Sequence, residues 1–331
     1  MKHPKQLLTV LLMAATCTLY AQRNETLLEK NWKFSKGDFK EASQPKFNDS
    51  KWESVVIPHD WAIYGPFDKY NDLQNVAITQ NAENKASLKT GRTGGLPYVG
   101  VGWYRTSFDV PVGKEVTLKF DGAMSEARVY VNGQEACFWP FGYNTFHCDV
   151  TPFLNKDGKS NTLAVRLENR PQSSRWYPGA GLYRNVHLIV TEKVHVPVWG
   201  TQLTTPHVEK DFAAVRLQTK IANTGAKTKI RIETAIIAPD GSVAVQKANT
   251  GRINHEQPFE QNFIVNNPTL WSPENPSLYK AVSKIYADDQ LVDTYTTRFG
   301  IRTLAYIADK GFYLNGQHRK FQGVCNHHDL G

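Results

Sequence analysis

The chain has 331 residues, 40% hydrophobic and 11% aromatic, which excludes a disordered polypeptide and allows two or more domains. Its formal charge of +8 is scattered: the densest basic cluster, Lys227, Lys229 and Arg231, falls on alternate positions and reads as the wet face of one strand. Nucleic acid is therefore not an expected partner.

Lys2 and Lys5 precede an apolar run from Leu7 to Leu12 that continues through Ala14 and Ala15 to Ala21 and Gln22. This is the pattern of an export signal over residues 1–21, cut after Ala21. A membrane span would need about 20 predominantly apolar residues, and Thr9, Thr16 and Thr18 interrupt this run. The expected location is periplasmic or secreted. A lipid-anchored form through Cys17 is the alternative, with Thr16 a poor residue just before such a site. Removing the signal leaves Cys137, Cys148 and Cys325, an odd count that does not make a disulfide framework. Cys137 and Cys148 flank one short connection and either pair in an oxidising compartment or fill a core as free thiols. Without a Cys-x-x-Cys or His-x-x-x-His grouping, zinc has no obvious home, and no cofactor is expected in this chain.

Beyond the signal the sequence has period two, the mark of half-buried strands. Val116, Leu118 and Phe120 alternate with Thr117 and Lys119, and Val129 and Val131 with Arg128 and Tyr130. Asn132-Gly133 then supplies a tight hairpin turn, and Leu163, Val165 and Leu167 repeat the pattern. These short strands imply an antiparallel sandwich over roughly residues 22–193.

A second set begins after Pro197. Val215, Leu217, Thr219 and Ile221 face one way and Arg216, Gln218 and Lys220 the other; Ile230 and Ile232 follow, and Pro239-Asp240-Gly241 turns the chain into Val243 and Val245. Further strands are expected around Phe263–Val265, Tyr279–Tyr286 and Val292–Phe299. This is the size of an immunoglobulin-like sandwich, over residues 194–303, without a Cys–Trp–Cys pattern. The tail, 304–331, changes character. Gly311 to Gly316 reads as a hairpin leading into Lys320–Val324, a buried strand that ends in the polar cluster Cys325-Asn326-His327-His328-Asp329.

Three segments resemble glycoside hydrolase family 2. The first is Trp52-x-x-Val55-x-Ile57-Pro58-His59-Asp60-Trp61, with the later Gly100-Val101-Gly102-Trp103-Tyr104-Arg105. The second is Ser174-Arg175-Trp176-Tyr177-Pro178-Gly179-Ala180-Gly181-Leu182-Tyr183-Arg184. The third runs from Phe312 to Asp329, where many members write Gly-Val-Asn-x-His; Cys325 stands here in place of that Asn. The resemblance implies an all-β chain: a jelly-roll sugar-binding β-sandwich, an immunoglobulin-like β-sandwich, and then the first strand of a truncated TIM barrel. The implied function is the front part of an exported β-glycosidase, with a β-galactoside-type glycan favoured; β-glucuronidase and β-mannosidase share the architecture.

Such enzymes are retaining, with two carboxyl groups about 5–5.5 Å apart. In the family both are Glu on later barrel strands, and a TIM barrel typically takes about 250 residues. No catalytic residue is therefore assigned, and the chain alone is expected to be inactive. By the same resemblance Asp329 reaches sugar hydroxyls, His328 either orients neighbours or touches sugar, and His327 orients neighbours. The plainer alternative is a polar strand end satisfying its own loop. Arg175 would offer planar donors to paired hydroxyls, and Trp176 would cover a sugar face or plug the sandwich edge. The loop from Tyr64 to Gly102 is long enough to overhang a pocket, with Asp68, Asn71 and Asp72 as candidates; Asp60 is expected to lock the His59–Trp61 turn. A divalent cation is a possible requirement of the full-length enzyme. The competing reading is a free-standing secreted carbohydrate-binding protein of two sandwiches.

Overall fold

Apolar and polar residues build strands wherever they alternate in the sequence. Val116, Leu118 and Phe120 are fully buried on the strand Glu115–Phe120, as are Val129 and Val131 on Ala127–Val131 and Leu163, Val165 and Leu167 on Asn161–Asn169. The computed structural model describes residues 23–71, 73–89, 98–171 and 179–325, and these are all-β apart from single turns of 3-10 helix.

Two antiparallel sheets make the first sandwich. One runs in the order Asn24–Leu27, Val186–Thr191, Glu115–Phe120, Phe146–Asp149; the other runs Glu53–Val55, Trp32–Lys36, Gly100–Phe108, Asn161–Asn169, Ala127–Val131, Gln134–Trp139. Trp32, Phe34, Tyr104 and Phe120 fill the space between them, and each large side chain removed from water contributes about 1.5–3 kcal/mol. Asn132 and Gly133 take φ of 51° and 86°, the positive values the tight turn requires, and fix Val131 opposite Gln134. Of the two readings of the cysteines, pairing is the one found: a Cys137–Cys148 disulfide with Cα atoms 6.0 Å apart ties an edge strand of one sheet to an edge strand of the other.

The strand Gly100–Phe108 departs from simple alternation because both its faces are covered. Tyr104 points into the sandwich, whereas Trp103 packs outward with Ala42 and Ala164 beneath Phe39, Phe47 and Trp52. Arg105 is buried there as well. It donates to Asp49 Oδ2 at 2.8 Å, to the Gln44 carbonyl at 3.2 Å and to the Ala42 carbonyl, so its charge is paired and its Nε and Nη1 donors are used.

The second sandwich packs two four-stranded sheets. In one, Phe212–Asn223 pairs with Val194–His195 and Thr201–Val208 on one side and Glu256–Asn266 on the other. The other runs Val243–Ile253, Thr228–Ile237, Tyr279–Ala287, Gln290–Phe299. A polar layer crosses its core. Buried Thr234 donates to Gln261 Oε1 at 2.6 Å and shares a 2.8 Å hydrogen bond with Ser283, with buried Thr219 on the facing sheet. Apolar clusters lie on both sides, one around Leu217, Phe263 and Tyr279 and one around Ile221, Ile232 and Ile285.

The sandwiches are clamped together by Asp293, whose side chain is completely buried. It accepts from Arg23 at 3.0 and 3.2 Å and from the Val196 N–H at 2.8 Å, and the Arg23 guanidinium also lies 4.9 Å from the Tyr295 ring centroid. Leu304–Ile307, Gly311–Leu314 and Gln317–Arg319 form a separate three-stranded sheet, tied to the second sandwich by Asn315 bonds to Thr303 and Trp271 and by the Arg319–Glu274 pair at 2.6 Å.

Two expectations are corrected. Lys320–Val324 is not a buried strand: these residues are exposed and unpaired, because no neighbouring strand among the described residues completes their backbone hydrogen bonds or covers a face. The stretch from Tyr64 to Gly102 is not loop throughout, since Gln74–Val76 pairs with Ser87–Lys89 and the strand Gly100–Phe108 begins inside it.

Candidate functional site

The sequence-derived site residues Arg175, Trp176, His328 and Asp329 all lie outside the described residues, as do Asp72, Asn326 and His327. The frame on either side of the 172–178 segment is described, at one end of the first sandwich.

That frame is a set of short contacts that only particular residues permit. Gly181 and Met124 exchange backbone hydrogen bonds at 3.0 and 3.1 Å, the His59 N–H donates to the Leu182 carbonyl at 2.8 Å, and the Tyr183 hydroxyl donates to the Gly142 carbonyl at 2.8 Å. Gly181 has φ of +87°, and a Cβ there would sit 2.7 Å from the His59 carbonyl and collide with the Tyr104 hydroxyl. The glycine of the second motif is thereby explained by packing against the first. His59 Nδ1 lies 2.7 Å from the Tyr104 hydroxyl. Burial pushes the His59 imidazole down and the Tyr104 phenol well up, so both stay neutral near neutral pH.

Asp60 does what its position suggests: Oδ1 accepts from the Ala62 N–H at 2.9 Å and holds the turn before Trp61, which stacks on Phe34 with centroids 5.5 Å apart. Asp68 likewise caps its own turn through the Tyr70 N–H at 2.8 Å. Both carboxylates thus have a backbone role.

Sequence reasoning missed Asn169. It ends the strand Asn161–Asn169 on the inward face, buried, with Nδ2 donating to the Gly179 carbonyl at 3.1 Å and Oδ1 without a partner. A buried acceptor left over at the end of a strand calls for a donor, and the signal in the sequence is an amide where the strand's pattern demands an apolar residue. Around this end Tyr64, Phe67, Tyr70, Phe141 and Tyr143 are exposed. Rings of this kind offer apolar faces to ligands with flat apolar surfaces. Among the described residues no group of three or more His, Cys, Asp or Glu side chains is arranged to hold a metal ion, and no helix is long and apolar enough to cross a membrane.

A family model described as glycosyl hydrolases family 2, sugar binding domain, matches residues 26–192, and one described as glycosyl hydrolases family 2 matches residues 198–302. The chain is 36% identical over 324 residues to the beta-galactosidase BoGH2A of Bacteroides ovatus, across 96% of this chain and 36% of that protein. It is 30% identical over 325 residues to a beta-glucuronidase of Formosa agariphila, across 88% of this chain and 31% of that one. Among solved structures, a family 2 member from Bacteroides cellulosilyticus aligns with a TM-score of 0.80 at 33% identity, over 92% of this chain and 39% of that chain. The chain spans about a third of the length of the curated relatives it matches.

Proposed function

The chain belongs to glycosyl hydrolase family 2, and from that premise we propose that it is the front part of an exported retaining β-glycosidase whose favoured substrate is a terminal β-galactoside. Similarity to the Bacteroides ovatus beta-galactosidase across 96% of the chain is the observation that carries the reading. The Cys137–Cys148 disulfide supports export, since such bonds persist in oxidising compartments.

The part of this segment in catalysis is to shape and bind. Its best-buried carboxylate, Asp293, is spent on Arg23, and Asp49 on Arg105. The retaining pair of carboxyl groups comes from the barrel that follows in the whole enzyme. Arg175 and Trp176 fall in the sequence between Asn169 and Gly179, whose side-chain amide and backbone carbonyl are hydrogen-bonded to each other. In this reading Arg175 presents paired donors to vicinal hydroxyls, Trp176 covers a sugar face, and Asp329 accepts from hydroxyls with His328 beside it.

The test uses the complete gene product with nitrophenyl β-galactoside and nitrophenyl β-glucuronide. The galactoside is expected to have the higher kcat/KM, and Asp329→Ala to lower it by about 2–3 kcal/mol, roughly a hundredfold, with an unchanged melting temperature. Preference for the glucuronide would overturn the substrate assignment, and equal kinetics in the variant would remove Asp329 from the pocket.

A further inference from the structure

The two sandwiches meet along a cleft of about 230 Å³, lined by the outer face of the strands Glu115–Phe120 and Phe146–Asp149, by His195 and by the linker Val196–Val198. Glu115, Thr117, His147, Asp149 and His195 line it with hydroxyl, imidazole and carboxylate groups. Trp199 follows the lining residue Val198, and its ring centroid is 5.1 Å from that of His147, which lines the cleft.

The fold does not explain this tryptophan. It is 61% exposed, so it adds little to the core, and its φ of 57° is a left-handed conformation that glycine adopts freely and a bulky residue does not. Holding a non-glycine residue there costs on the order of 1 kcal/mol. An exposed aromatic kept at a cost beside a polar cleft has the form of a ligand platform.

Several polar groups of the cleft present acceptor atoms. The Glu192 carbonyl can only accept, so His195 Nδ1 donates to it at 2.8 Å and leaves Nε2 with a free lone pair in the neutral ring. Burial pushes both His147 and His195 down, which keeps them neutral near neutral pH. Asp149 Oδ1 is held by the Thr151 N–H at 3.0 Å, and Glu115 Oε1 by the Thr224 hydroxyl at 2.8 Å. Each carboxyl group has lone pairs for further donors.

We propose that this cleft is a carbohydrate site that takes one neutral pyranose ring, stacked on Trp199 with its hydroxyls donating to Asp149, Glu115 and His147. The volume is below the roughly 300–1,000 Å³ of drug-sized ligand pockets and fits a single ring better than a chain. Two carboxylates disfavour a uronic acid, and the neighbouring guanidinium of Arg23 is already engaged by Asp293 and the Val196 carbonyl. The assignment does not depend on which glycoside the barrel cleaves.

Indole signals of the ¹⁵N-labelled full chain, titrated with methyl β-galactopyranoside and separately with methyl β-glucuronide, test it. The Trp199 indole should shift saturably with the neutral sugar, with a Kd on the order of 1 mM, and should not respond to the uronide. Asp149→Asn, which keeps the turn acceptor, should weaken binding about threefold or more, the worth of roughly one hydrogen bond. Trp199→Gly should weaken it about tenfold or more, while the melting temperature holds or rises because glycine relieves the backbone. The proposal is overturned by a Trp199 signal that does not move, by Trp199→Gly retaining the parent affinity, or by equal binding of the uronide.

Discussion

Replacing Asp293 by Ala removes the acceptor on which three parts of the chain converge: the start of the first strand through Arg23, the linker through Val196, and the strand Gln290–Phe299 itself. The carboxylate is completely buried and the Arg23 side chain is only 11% exposed, so water does not replace what is lost. Breaking a buried pair by removing one partner costs about 3–5 kcal/mol, because the remaining charge stays desolvated. Arg23 keeps its contact with the Val196 carbonyl and with the Tyr295 ring, which offsets about 0.5–1 kcal/mol. The expected loss is therefore about 3 kcal/mol, read as a lower urea midpoint of the second sandwich. Arg23→Met combined with Asp293→Ala should recover much of it, since no buried charge is then left over. A single Asp293→Ala variant within about 0.5 kcal/mol of the parent, the range of ordinary surface substitutions, would refute the clamp.

Acidification should destabilise the fold through His59 and His195, both held below the usual imidazole range chiefly by burial. The unfolded chain takes up these protons near pH 6.5 and the folded chain only at lower pH. Their contribution is thus complete above about pH 6.5 and lost as pH falls through the lowered folded values; urea midpoints at neutral and acid pH check this, and a flat or rising profile contradicts it. Gly181→Ala should cost about 3 kcal/mol or more, strain and overpacking together, because its Cβ meets Tyr104 and His59. A thermal melt unchanged from the parent would show that the packing of Gly181 against Tyr104 and His59 yields.

Much of this fold is legible in the sequence because one-sided burial leaves a period of two. Val116, Leu118, Phe120, Ile230 and Ile232 are inward positions as their alternation says, and Asn132-Gly133 announces its turn by the positive φ that both residues adopt at low cost. Legibility fails where a strand is buried on both faces. Trp103, Tyr104 and Arg105 are consecutive and all buried, and no local pattern reveals that the 39–52 segment folds over the outer face to cover two of them. The Arg23–Asp293 pair is illegible for a different reason: its partners are 270 positions apart, and either one alone reads as a surface charge. Lys320–Val324 has a strand's composition but no partner among the described residues, and composition alone does not supply one. Gly181 and His59 stand in motifs that contact explains, whereas the role of Asn169 depends on its strand pointing it inward.

The hydroxyl and amide groups inside the second sandwich act as a key for strand alignment. Thr234 stands directly opposite Ser283, with Ile232 opposite Ile285 on one side and Ile236 opposite Ala281 on the other. A purely aliphatic interior would tolerate sliding one strand by two positions, since every side chain would still point inward. Here that slide sets Ser283 against an isoleucine and separates it from Thr234, with about 1–3 kcal/mol lost for each buried polar group left alone. The long, regular strands of this sandwich therefore have one favoured alignment, written into Thr234, Ser283 and Gln261, which contribute little to its apolar burial.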